Sequence, residues 1–162
     1  MKELSLAGLF REIGEAAARM EAEEQAVLRH GARVVQNRAK AIIGHYQGDA
    51  GPFVGWAPLA DSTIADKERQ GYGVPDPLLR AGDMRDGIEV TVGVGEAHIG
   101  SNDDIAVYQE LGTDRGIPPR SFLGAAAFQT KDKVGHLMGS VVVATLTGEK
   151  IHNGSMSITG DE

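Results

Sequence analysis

The chain has 162 residues, 41% apolar but only 5% aromatic, with 22 glycines and no cysteine. This is enough for one domain with an aliphatic core, and it excludes a disulfide scaffold or a thiolate metal site. The 16 basic residues against 23 acidic ones give a net charge of −7, which argues against strong non-specific nucleic-acid binding, since that needs clustered positive charge.

No apolar run approaches the ~18 residues that cross a bilayer. Glu3, Arg11 and Glu12 interrupt the opening segment, so no secretory signal is expected. A soluble protein made inside the cell is the expectation, and the missing cysteines fit a reducing compartment.

Residues 5 to about 46 read as helix. Leu6, Leu9, Phe10, Ile13, Ala17 and Met20 recur at three- and four-residue steps, and Leu28, Ala32, Val35, Ala39 and Ile42 continue the stripe. A glycine inside a helix costs about 1 kcal/mol relative to alanine. One long helix and two helices broken near Gly31 therefore both fit. Charge is segregated: Glu12, Glu15, Glu21, Glu23 and Glu24 precede Arg29, Arg33, Arg38 and Lys40. Arg29, Arg33, Gln36 and Lys40 share one flank, either a solvated face or a docking surface for an acidic partner or a neighbouring copy.

Residues 47–55 are glycine-rich and irregular. Asp61 or Ser62 can cap a short helix through Arg69. Pro75 and Pro77 make 71–77 a loop, and Leu78 to Arg85 reads as a turn or short helix. Ile88, Val90, Val92 and Val94 alternate with Glu89, Thr91 and Gly93, the period of a half-buried strand. Gly95-Glu96 can turn the chain into a second strand over Ala97 to Ser101. Asn102-Asp103-Asp104 then offers a cap for a helix over Ile105–Leu111, which Gly112 ends.

Pro118-Pro119 hold the next residues extended. Phe122 and Leu123 then anchor a helix that reaches about Leu137, with 140–147 ambiguous because Val141-Val142-Val143 is β-branched and Gly139 precedes it. Residues 148–162 are polar, with a hairpin signal at Asn153-Gly154. The expected organisation is a helical segment over 1–46, an α+β core over 47–147 and a polar tail over 148–162. The fold class is α+β, a small antiparallel sheet packed against helices with a long helix at the start.

Chemistry is sparse. His30, His45, His98, His136 and His152 are scattered, with no i, i+4 pair and no thiolate. Asp103, Asp104 and Glu110 are the nearest thing to a carboxylate cluster, and the two aspartates are better explained as caps. Gly93 to Gly95 follows a strand but leads to no phosphate-binding lysine. No catalytic, cofactor or metal residue is assigned. Arg115 and Arg120 bracket the prolines and are expected to pair with carboxylates, within the subunit or across an interface.

In order along the chain, Trp56, Pro58, Leu59, Thr63 and Lys67, then Leu79, Gly82, Met84, Arg85 and Ile88, then Ile117, Pro118, Arg120, Phe122, Leu123 and Gly124 form three blocks. These blocks resemble the tail-completion or head–tail joining proteins of long-tailed bacteriophages, in particular the virion-morphogenesis proteins of Mu-like phages and prophages. The likeness spans roughly residues 50 to 128. Ala81, Met84 and Ser121 depart from the residues usual in that family but keep their size class.

The resemblance implies a structural protein of the virion neck or tail end, assembled in the bacterial cytoplasm. It would act as a homo-oligomeric ring, hexameric by the six-fold symmetry of such tails. Its neighbours would be the tail tube or tail terminator protein and the head–tail connector proteins, with DNA passing through the channel without specific binding. Arg115, Pro118, Pro119, Arg120 and Phe122 are the candidate subunit interface, and Arg29, Arg33 and Lys40 the candidate partner-docking residues. A tail terminator or head-side stopper is the nearest alternative. A small metal-dependent hydrolase and a regulatory DNA-binding domain are distant ones.

Overall fold

The structure, a computed structural model, describes residues 6–147. Its elements are helix α1 (Leu6–Ile42), α2 (Asp61–Arg69), α3 (Asp83–Asp86), strands β1 (Glu89–Val92) and β2 (Ala97–Gly100), α4 (Asp104–Leu111) and α5 (Leu123–Thr147). This is the expected α+β class, a two-stranded antiparallel sheet against a long first helix. The hairpin signal at Asn153-Gly154 lies outside the described residues.

The first segment is one unbroken helix of 37 residues, about 55 Å long at 1.5 Å per residue. Gly31 does not break it. That glycine is buried, and a Cβ there would sit 3.4 Å from the Val134 side chain of α5. Its missing side chain serves close helix approach, and α5 replaces in contacts what the glycine loses in propensity.

Helix α5 runs antiparallel along α1. Gly31 meets Val134, and seven residues further on Arg38 Nε donates to Gln129 Oε1 at 2.6 Å, so the two chains advance in opposite directions. Ala39, Ala125 and Ala126 are all buried in the common core, where small side chains allow backbones to approach. Helix α5 also continues through Val141-Val142-Val143 to Thr147, settling the ambiguous stretch as helix.

The β-hairpin lies along another side of α1. Gln36 Nε2 donates to Ile88 O at 2.7 Å at the entry to β1, while Glu24 reaches the turn near Gly95. Val90 pairs with Ile99 and Val92 with Ala97, all partly buried, whereas Glu89 and Thr91 face outward as their alternation predicts. Val94 departs from the expectation. It falls in the turn closed by Gly93 N and Glu96 O, and is exposed.

The main core joins Ala39, Ile42 and Ile43 of α1 with Trp56, Met84, Ile88, Ala106, Phe122 and the start of α5. Phe122, Ile42 and Ile88 are its largest fully buried side chains. Each contributes roughly 1.5–3 kcal/mol through burial. The helix after Pro58 starts at Asp61, but its N-cap is Ala60, which has no side-chain cap; neither Asp61 nor Ser62 takes that role.

Candidate functional site

The candidate site is the junction where α4 hands over to α5. Asp103 caps α4 as expected, its Oδ1 accepting from Ile105 N at 2.9 Å. Only Ala106 of this helix is buried. Ile105, Val107, Tyr108 and Leu111 are exposed, Leu111 by 73%, and Ile117 joins them from the following loop. An apolar helix face is thus turned to water.

Gly112 ends α4 at φ +74°, where a Cβ would meet Ile117 O and Pro119. Only glycine suits both the left-handed φ and that contact. Thr113 N donates to Ile117 O at 3.0 Å, closing the loop that carries exposed Arg115, with exposed Pro119 just beyond it.

Glu110 points back from α4 and caps α5. One carboxylate oxygen accepts from Ser121 Oγ at 2.5 Å and Gly124 N at 2.9 Å; the other accepts from Phe122 N at 2.7 Å and Leu123 N at 2.9 Å. Three orphan amides of a helix start are satisfied by one anion, placed where the helix dipole favours negative charge. The sequence reading grouped Glu110 with Asp103 and Asp104. Here it is committed to a structural contact instead, and no spacing rule linked it to a helix starting 13 residues later.

Arg120 and Trp56 fasten the same junction to the 56–58 segment. The Arg120 guanidinium donates to Ala57 O at 3.1 Å and Pro58 O at 3.2 Å, and Trp56 Nε1 donates to Ser121 O at 3.2 Å. Burial pulls the Arg120 pKa down, partly offset by Tyr46. Two expectations are corrected here. Arg120 pairs with carbonyls rather than a carboxylate, and at 6% exposure it is not on a subunit surface. Phe122, at 0%, anchors the core and cannot itself face a partner. Of the five candidate interface residues, Arg115 and Pro119 are exposed and Pro118 is half-buried.

Beside the junction lies an open cleft of about 750 Å³ between the 58–67 segment, the 76–84 turn and the 103–120 segment. Lys67 lines it and is 4% exposed, its Nζ donating to Asp76 O at 2.5 Å. Burial lowers its pKa, opposed by the Asp76 charge. Gln109 Oε1 is buried in the cleft wall without a hydrogen-bond partner among the described residues. Leu78, on the same wall, is held at φ +62°, a strained conformation for a non-glycine residue costing about 1–3 kcal/mol.

The candidate docking residues divide. Lys40, half-buried, donates from Nζ to Asp86 O at 3.2 Å and so ties α1 to α3. Arg29 and Arg33 are exposed and line a groove with Gln36, Glu89, Val90 and Val92. Among the described residues no cluster of three or more His, Asp or Glu is placed to hold a metal ion, and no helix is long and apolar enough to cross a membrane.

The chain matches no family model, no curated protein and no solved structure.

Proposed function

We propose that this chain is a structural subunit of a phage or prophage neck or tail end, forming a homo-oligomeric ring that completes the tail and joins it to the head connector. The observation that carries this reading is the outward apolar face of α4, with Ile105, Tyr108, Leu111 and Ile117 exposed beside the Arg115–Pro119 loop. A surface of this kind gains free energy when another protein covers it, and neighbouring copies in a ring would do so.

A second support is the convergence of the sequence blocks that carry the resemblance. Trp56 is distant in sequence from Arg120 and Phe122 but belongs to the same junction. Gly124 fits tightly there, since a Cβ would meet the Phe53 ring. On this reading the blocks are architectural. They build the platform from which α4 and its loop reach a neighbour, and Glu110 is a cap rather than a catalyst.

The protein acts here without chemistry, as a virion component between tail tube and connector, with DNA passing through its channel and not held. Electron microscopy of particles or tails carrying a labelled chain tests this. A ring at the head-proximal end of the tube is the expected result, and absence of the chain from particles would overturn it. Copurification with tail-tube rather than portal-side proteins separates tail completion from the stopper role.

A further inference from the structure

Helix α1 carries its charge in two blocks. Residues 10–24 hold Arg11 and Arg19 against Glu12, Glu15, Glu21, Glu23 and Glu24, whereas residues 25–42 hold Arg29, Arg33, Arg38 and Lys40 and no acid. The helix macrodipole favours such an arrangement only within the first and last turns. It does not account for blocks that extend through the middle of a 37-residue helix.

The blocks also differ in cover. The hairpin and α5 pack along the second, where Val27, Ala32, Ala39 and Ile42 are buried. In the first, Phe10 is 67% exposed, Met20 is 52% exposed and Ala17 is exposed too. At 3.6 residues per turn these three share one stripe, with Glu21 and Glu23, both exposed, on its two flanks.

The groove on the second block has the complementary character. It holds about 540 Å³, with Val90 and Val92 half-buried in its wall and Arg29 and Arg33 exposed beside them. Neither arginine makes an ion pair or side-chain hydrogen bond among the described residues. Glu89 is the one acid in the lining, and Gln36 is tied to Ile88 O. The centres of the two blocks are about 25 Å apart along the axis. An unbroken helix cannot fold back over that distance, so the acidic half can reach such a groove only on another molecule.

We infer that the acidic, apolar-striped half of α1 docks in the Arg29–Arg33–β1 groove of a second copy of this chain. Met20 covers Val90 and Val92, Phe10 extends the apolar contact along the helix, and Glu21 on the flank of the stripe faces Arg29 and Arg33. The donor and acceptor patches differ, so each copy gives one contact and receives one, as a closed ring requires. This deepens the self-assembly reading above and rests on it.

The test uses the full chain and two charge-reversal variants, Glu21→Lys with Glu23→Lys, and Arg29→Glu with Arg33→Glu, followed by sedimentation velocity at low salt. Each variant alone should weaken self-association by about tenfold or more, and an equimolar mixture should restore it, because each reversed patch then meets its opposite. Unchanged circular dichroism and melting establish that the variants fold. Because the chain has no cysteine, a Glu21→Cys chain mixed with an Arg33→Cys chain gives a second readout, a mixed disulfide dimer on oxidation.

Folded reversal variants that associate like the natural chain would overturn the inference, as would a mixture that fails to recover. A natural chain that stays monomeric at every concentration would do the same. The ring reading fails on a separate observation, the absence of the chain from particles.

Discussion

The α4–α5 junction and the first half of α1 handle their polar and apolar groups in opposite ways. At the junction Glu110 receives four donors, Arg120 serves two carbonyls, and Phe122 is wholly enclosed. In the first half of α1, apolar Phe10, Ala17 and Met20 and acidic Glu15, Glu21, Glu23 and Glu24 alike stand in water. A stretch whose groups are all satisfied internally adds stability. A regular, amphipathic stretch without internal partners adds little and is available for assembly.

The largest expected effect belongs to the junction's core. Phe122→Ala should destabilise the protein by about 3–5 kcal/mol, through lost transfer energy and the cavity left behind. Denaturant unfolding measures this, and near-normal stability would break the contrast at its stronger end. Next comes Glu110→Ala, which strips the N-terminus of α5 of its acceptor. A loss of about 2–3 kcal/mol is expected, because charged hydrogen bonds are replaced by amides lacking an equivalent partner. Glu110→Gln keeps the shape and part of the bonding, and its stability should fall between that of Glu110→Ala and that of the natural chain.

The exposed face should behave the other way round. Leu111→Ser is expected to leave stability within about 0.5 kcal/mol, as for most surface changes. The same substitution should reduce the mass of assembled species in light scattering. A stability loss as large as that of Phe122→Ala would mean that α4 is packed inward after all.

The smallest effect concerns pH. Gln70, then Arg69 and Arg80, hold the Asp66 carboxyl below the usual aspartate range against a smaller opposing contribution from burial. Its folded value is thus lower than its unfolded one. The resulting stabilisation is complete above about pH 4 and is lost as the pH falls through the lowered folded value. Asp66→Asn should flatten the acid limb of the stability profile below that point while leaving the neutral plateau's shape unchanged. Acid titration followed by circular dichroism compares the two.

Local rules made much of this fold legible. The alternation around Val90 and Val92 marked a strand, Asp103 was identifiable as a cap, and Gly112 as a helix end. The candidate site was less legible. Phe122 was readable as an anchor, but Arg120 stood among surface-like neighbours, and the Ala57 and Pro58 carbonyls take up its guanidinium. Glu110 gave no signal, because capping a helix from another helix depends on how two elements are turned toward each other.

The sequence by itself determined the amphipathic stripe of α1, the hairpin, the breaks at Gly112 and the prolines, and the segregation of charge along the first helix. Each depends on neighbours within a few residues, where helix and strand periods and φ preferences act directly. Tertiary structure alone decided that Gly31 is a point of close approach rather than a bend, and that Arg120, Lys40 and Glu110 make contacts within the fold. Those outcomes depend on contacts between residues far apart in the chain, where burial and the need to satisfy backbone groups outweigh local propensity.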